Sequence, residues 1–429
     1  MAPLTNAESH APSYYAATAK GMQTFPSIFG DVEADVCVVG AGFTGLSAAL
    51  HLAERGYSVI VAEANRAGWG ASGRNGGQLH SGQRRDQMWL EKAVGEADAR
   101  KLWAMAEESK QLIRDLIAKH GIDCDFAEGL IHGIHKHRYL DEEKHYVDFL
   151  QRKYGYDVLS MLSAEETRAA LGTDVYFGGT RDATAGHLHP LNFALGLARA
   201  AEEAGARIYE NTRVTAVREG SPVEIVTECG TIRAKAVLLA GNGYIAGIDE
   251  ATDARVMPIN NFILATEPLG ERTKELIPGN EAAADTRFVV NYWRLSADGR
   301  MLFGGGENYS PNFPKDLPAF VRRHMLKVYP QLADARIDYA WGGAVAVTVN
   351  RMPYLRRQSP GVYVSAGYSG HGVGTATMAG KIFAEAFAGD QERFDTFARL
   401  PSQRFPGGRW LRYPSMVLAM SWFALRDRL

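Results

Sequence analysis

The sequence predicts an α/β chain in two parts: a Rossmann-like domain around a mostly parallel sheet, and an α+β domain with a mixed, largely antiparallel sheet. Three observations carry this. A short run of β-formers, Val36 to Val39, leads at once into Gly40-Ala41-Gly42-Phe43-Thr44-Gly45 and a helical pattern. Two further glycine turns, Gly241 to Gly243 and Gly367 to Gly374, follow apolar runs far down the chain. Between these turns, residues 255–351 show the alternation of strands.

The first thirty residues carry Tyr14, Tyr15, Phe25 and Phe29 among small and polar ones, and read as an arm packed across the surface. Val36–Val39 has the look of a strand buried on both faces. Leu46, Ala49, Leu50 and Ala53 then recur at helical spacing until Gly56, and a second strand, Val59 to Ala62, ends on Glu63. This βαβ unit suits a dinucleotide. Gly40 allows the tight turn, Gly42 lets the backbone reach a pyrophosphate, and Gly45 lets helix and strand approach. The helix N-terminus offers N–H groups and positive potential. Glu63 can accept both hydroxyls of an adenosine ribose and disfavours a 2′-phosphate.

Composition sets the outer limits. The chain has 429 residues, 46% hydrophobic and 22% charged, enough for two sizeable domains. A net charge of −2 implies no nucleic-acid partner. Three cysteines, Cys37, Cys124 and Cys229, follow no spacing pattern, which points to a reducing, cytoplasmic setting. Residues 1–30 have no apolar core behind a basic start, so no signal peptide is expected, and no apolar run is long enough to span a bilayer.

After Glu63 comes Ala64-Asn65-Arg66-Ala67-Gly68-Trp69-Gly70-Ala71-Ser72-Gly73-Arg74-Asn75-Gly76-Gly77-Gln78. Such a run cannot form a packed helix, but it can wrap a phosphate and bring backbone against a flat ring. With Gly40–Gly45, this segment resembles the D-amino-acid oxidase-like flavoproteins, and most of all their γ-glutamylputrescine oxidoreductase branch. The resemblance implies an FAD-binding domain of the glutathione-reductase type and a flavin held along this loop. Its contacts would be Gly40, Gly42, Phe43, Thr44, Gly45, Glu63, Ala64, Ala71, Ser72, Arg74, Asn75, Gly76, Gly77 and Gln78.

Residues 86–120 read as helix, Gly129–His135 as a strand, and 141–154 and 163–171 as helices, the last opened by a Ser163/Glu166 capping box. His132, His135, His137 and His145 fit no metal-ligand spacing and read as a solvated face, so no metal is expected. His189-Pro190 opens a helix to Gly205, and Gly205–Val214 reads as another parallel strand. A hairpin across Gly230 and a buried strand from Ala236 to the Gly241 turn follow. By resemblance Val214 touches adenine and Gly241 closes over the dinucleotide. Asp298-Gly299 signals a tight turn between strands Phe288–Arg294 and Met301–Phe303, with a helix at Phe320–Tyr329. The Gly-Tyr-Ser-Gly-His-Gly motif at 367–372 matches the family's ribityl and pyrimidine cradle, which implies contacts from Gly370, His371, Gly372, Val373 and Gly374; Gly343 is expected to contact the cofactor as well. His371 is expected to hold its loop. A helix N-terminus aimed at that end favours an anionic reduced ring.

The expected division is therefore an FAD-binding domain from 31–85, 186–254 and 352–400, and a substrate domain from 86–185 and 255–351. An arm, 1–30, and a tail, 401–429, complete it. The apolar stretch 414–425 is read first as docking on the protein, with subunit pairing or peripheral membrane contact as alternatives; the oligomeric state is open. The resemblance implies hydride transfer from the carbon beside an amine to flavin. The imine is then hydrolysed, and electrons pass to oxygen, giving hydrogen peroxide, or to another acceptor.

Departures from the family sharpen this. Where sarcosine oxidases bond the flavin through cysteine, this chain has Ala346, so the flavin is expected to be non-covalent. Their carboxylate-holding lysine corresponds to Gly374, and their oxygen-promoting lysine roughly to Leu302. A small α-amino acid is thus disfavoured and a longer, γ-glutamylputrescine-like amine favoured. Candidate pocket residues are Gln78, His80, Tyr292, Arg294, Trp341 and Asn350, with Tyr292 and Trp341 to flank an alkylammonium and Arg294 to hold a distal carboxylate. An N-methyl or D-amino-acid oxidase, and an electron-transfer flavoprotein docking through its tail, are the alternatives.

Overall fold

The computed structural model describes residues 9–406, apart from 246 and 309–311. Two sheets organise the chain. The first runs Tyr354–Ser359, Val362–Ala366, Thr231–Leu239, Val32–Val39, Val59–Ala62 and Arg207–Tyr209, with Val214–Arg218 and Val223–Thr227 hung on as antiparallel strands. Its centre is parallel: Val36 pairs with Ala236 on one side and Val59 on the other. All four residues of Val59–Ala62 and all five of Val362–Ala366 are buried, which is why they carry no polar alternation.

The helix Phe43–Ala53 is buried along its whole length. It lies between this sheet and the helix Gly372–Phe387. The two helices can touch because Gly380 faces Thr44 and Ala48 backbone, where any Cβ would overlap. Each leucine buried there contributes roughly 1.5–3 kcal/mol relative to exposure.

The second sheet runs Ile337–Val347, Met257–Thr266, Met301–Asn308, Tyr292–Leu295, Ala282–Asp285, Ala127–Gly133, Gly179–His187 and Gln78–Leu79, with Leu159–Leu162 beside Gly179–His187. Among the described residues only Ala282–Asp285 and Ala127–Gly133 pair in parallel, so the sheet is mixed and largely antiparallel. Asp298-Gly299 lies in the turn between Tyr292–Leu295 and Met301–Asn308. The capping box at Ser163/Glu166 is complete.

Several sequence expectations need correction. The 86–120 helix is two, Gln87–Val94 and Glu96–His120, because Gly95 takes φ +80° between them. Residues 205–214 do not form one parallel strand: Arg207–Tyr209 pairs with Val59–Ala62, and Val214 begins a separate antiparallel strand. The hairpin arm after Gly230 and the buried strand before Gly241 are one strand, Thr231–Leu239. Gln78–Leu79 joins the second sheet, although the glycine loop around it belongs with the first. The arm is more than a surface wrap: Tyr14, Tyr15 and Phe25 are core residues, while Phe29 is exposed. No helix among the described residues is long and apolar enough to cross a membrane, and the 414–425 stretch lies outside them.

Candidate active site

The glycine turns meet at one cavity of about 1620 Å³, which exceeds the usual span for one small ligand of roughly 300–1,000 Å³. Gly40, Gly42, Phe43 and Thr44 line it from the first turn, Gly241 from the second, and Gly370, His371, Gly372 and Val373 from the third. Side chains bridge the turns. Thr44 Oγ1 lies 2.6 Å from the Tyr368 hydroxyl, and Gly367 N donates to Asn242 Oδ1 at 2.9 Å.

Several features of the cavity wall would suit an anionic, ribose-bearing ligand. Phe43–Ala53 and Gly372–Phe387 both point their N-termini at it, and neither N-cap residue uses its side chain to cap its helix. Ser72 Oγ accepts from Phe43 N at 2.9 Å, and a Cβ on Gly42 would stand 2.8 Å from that oxygen. Glu63 lines the wall, accepting from Ala41 N at 2.8 Å and Asn65 N at 2.9 Å. Burial pushes its carboxyl up from the ordinary range, and these two N–H groups oppose that. Asn75 holds the glycine loop closed by donating to Ala71 and Ser72 oxygens while its own oxygen accepts from Gly77 N. Arg74 lies over the Trp69 ring, 4.2 Å from its centroid.

Ala64, Ala71, Gly76, Gln78, Val214 and Gly343 also line the cavity. Gly45, Gly77 and Gly374 stand behind the wall. A Cβ on Gly45 would overlap the Gly40 carbonyl, one on Gly77 the Leu188 carbonyl, and one on Gly374 would meet Ser109 Oγ at 2.6 Å. These three act by letting the chain approach itself, and a lysine at 374 would have no room.

Of the pocket candidates, Gln78, His80 and Tyr292 line the cavity. Tyr292 is wedged where a Cβ on either Gly76 or Gly304 would collide with its ring, and its hydroxyl donates to Asn261 Oδ1. Gln78 is buried, with Nε2 donating to the Ala283 and Trp293 oxygens. Arg294, Trp341 and Asn350 do not line it. Arg294, 3% exposed, donates to Gly76 O, Leu295 O and the Tyr15 hydroxyl. Trp341 Nε1 donates to Arg74 O, and its ring meets Tyr15 edge-on at 5.1 Å. Asn350 is tied to Pro401 and Met352 backbone. The strand period sends Arg294 and Trp341 to the arm's side of the second sheet, so Arg294 holds no distal carboxylate here.

Sequence reasoning missed much of the wall. His132, expected on a solvated face, stacks on His80 at 5.7 Å, and His80 stacks on His371 at 4.6 Å. His135 is also buried, whereas His137 and His145 are exposed. Burial, with the charge of Arg84 nearby, lowers all three stacked rings, to about 4 for His132 and about 3 for His371, so they are uncharged at neutral pH. Arg84 Nε donates to Ser369 O at 3.1 Å. Behind them Lys110 Nζ donates to Ser81 Oγ and to the Tyr156 hydroxyl, which donates to Asp182 Oδ2 at 2.7 Å. His371 sits in the 367–372 motif and His80 is a pocket candidate, but His132, Arg84, Lys110, Tyr156 and Asp182 belong to no motif; they are assembled from loops and strands of different periods.

The family described as FAD dependent oxidoreductase matches residues 35–386. The chain belongs to that family. It uses FAD, and the glycine cradle just described fits that cofactor. The chain is 43% identical to "Probable oxidoreductase OrdL" of Rhizobium meliloti over 417 residues, 97% of each chain. It is 41% identical to "Gamma-glutamylputrescine oxidoreductase" of Escherichia coli over 422 residues, covering 98% of this chain and 99% of that one. Among solved structures, glycine oxidase from Geobacillus kaustophilus shares the fold, with a TM-score of 0.71 at 22% identity over 83% of this chain and 95% of that one.

None of the three cysteines lines the cavity, and Ala346, the position the resemblance equates with a flavin-bonding cysteine, does. Acid precipitation is accordingly expected to leave the yellow colour in the supernatant. Colour in the pellet would overturn the non-covalent assignment.

Proposed function

We propose that this chain oxidises the C–N bond of an amine of the γ-glutamylputrescine type. The observation that carries this is the 41% identity with γ-glutamylputrescine oxidoreductase across nearly the whole of both chains. The cavity agrees with it. No lysine among the described residues lines the wall, Gly374 faces away and Leu302 is in the core, so no lysine holds a substrate carboxylate here; the cations on the wall are arginines, Arg84 among them.

Bound FAD supplies a hydride acceptor. The chain's own task is to present an uncharged amine beside it and to keep water away. His80, His132 and His371 form an unionised wall, and Arg84 places a positive charge among them. An ammonium is repelled there, which favours the neutral amine whose lone pair assists loss of hydride. Tyr292, fixed between two glycines, closes another side with an aromatic face. The imine then leaves and hydrolyses to an aldehyde and an amine or ammonia, and electrons pass on to oxygen or another acceptor. Three unpaired cysteines, one of them exposed, suit a reducing compartment and support a cytoplasmic location.

Anaerobic mixing of the flavoprotein with polyamines, γ-glutamyl amines and amino acids tests this. γ-Glutamylputrescine should bleach the flavin fastest. Bleaching by glycine or a D-amino acid alone would replace this reading with that of an amino-acid oxidase.

A further inference from the structure

The cavity does not end at the flavin cradle. It continues to a mouth between the turn carrying Gln83, Arg85 and Asp86 and the helix Leu140–Tyr154. The two elements are tied together there: Gln87 N donates to the Tyr146 hydroxyl at 3.2 Å. Glu143, one helical turn before Tyr146, and Asp86 both act electrostatically on that tyrosine, so the acids and the turn share one neighbourhood.

This mouth holds charges that the fold leaves unmatched. No cation among the described residues pairs with Glu142 or Glu143. Burial, and then the neighbouring Glu142, push Glu143 up to about 7, as befits a carboxylate without a counter-ion. Arg85 lies over the Trp89 ring at 4.7 Å, and its buried Nε finds no acceptor among the described residues. Gln83, 7% exposed, spends its amide N–H on Leu102 O, while its Oε1 finds no donor among them. A buried polar atom without a partner costs about 1–3 kcal/mol, so unmet donors and acceptors on one wall point to a ligand that meets them. Both signs are unmet. A simple diamine would satisfy the acids and be repelled by Arg85. A group with ammonium and carboxylate on one carbon satisfies both.

We propose that this mouth is a subsite for the α-amino-acid head group of the substrate: Arg85 takes its carboxylate, and Glu143 with Glu142 and Gln83 Oε1 takes its ammonium. The assignment rests on the amine-oxidase reading and adds which residues hold the end of the substrate remote from the oxidised carbon. Arg85 and Glu143 are then specificity residues, acting far from the reacting atoms.

The test uses the intact flavoprotein and anaerobic flavin bleaching. Its probes are γ-glutamylputrescine, the analogue lacking the α-carboxylate, the analogue lacking the α-ammonium, and putrescine. Each truncated probe should bleach about 10- to 100-fold less efficiently, the size of one charged hydrogen-bonding contact. Arg85→Gln should lose about the same factor on the full substrate and nothing further on the carboxylate-free analogue. Glu143→Gln should show the mirror pattern on the ammonium-free analogue. Both variants should keep the wild-type flavin spectrum, since neither side chain belongs to the glycine cradle. If all four probes bleach alike, or either variant loses equally on all of them, the subsite is overturned while the amine reading stands. If none bleaches, both fall.

Discussion

Glu63→Lys yields a protein that does not retain FAD. The Glu63 carboxylate stands at the end of Val59–Ala62, on the cavity wall, and organises the first turn by accepting from Ala41 N and Asn65 N. An ammonium there leaves both N–H groups without an acceptor and offers the ribose hydroxyls a donor where they need an acceptor. It also adds a cation beside Arg213. Charged hydrogen bonds contribute roughly 1.5–3 kcal/mol each. Losing two raises the dissociation constant for FAD by about 10²- to 10⁴-fold. The flavin-to-protein absorbance ratio after gel filtration reads this directly. A ratio equal to that of the wild type would remove Glu63 from the cofactor site.

Arg294→Met destabilises the fold and leaves substrate affinity alone. The guanidinium is buried and bonded to Gly76 O in the flavin loop, to Leu295 O and to the Tyr15 hydroxyl of the arm, so it staples three segments together. Methionine fills much of the volume and satisfies none of these acceptors, at a cost of about 3 kcal/mol. With an unfolding entropy of roughly 2.1 cal/mol/K per residue, that lowers the midpoint of this 429-residue chain by about 3 °C. The opposite pattern, an unchanged midpoint with a raised KM, is what a substrate-binding arginine would give. It would contradict the packing described here.

The two variants mark where sequence and structure divide. Glu63 could be placed from the chain alone because its role is local. A strand, a glycine turn and a helix fix its position within thirty residues, and each step leaves a periodic trace. The same holds for Gly40–Gly45, the Gly76–Gln78 loop and the Gly370–Val373 turn, all of which lie at or directly behind the cavity wall. Resemblance to a flavoprotein family added the cofactor. Arg294 and Trp341 could not be placed, because a strand residue faces one side or the other of its sheet by a register of one, and their sequences carry charge and aromaticity suited to either side. Only the arm, packing Tyr15 against them, decided it.

By itself, then, the sequence determined the dinucleotide turn and the alternation of a parallel and a mixed sheet, since each is written in contiguous residues of one period; the flavin came from the resemblance of those residues to a family. Tertiary structure decided how the wall is assembled. His80 and His371, both legible in the sequence, meet His132 and Arg84 from widely separated stretches of the chain, and Arg85 and Glu143 reach the mouth from a turn and a separate helix. Such groups share no periodicity; they meet only when burial of the two sheets and their helices brings distant loops to one surface.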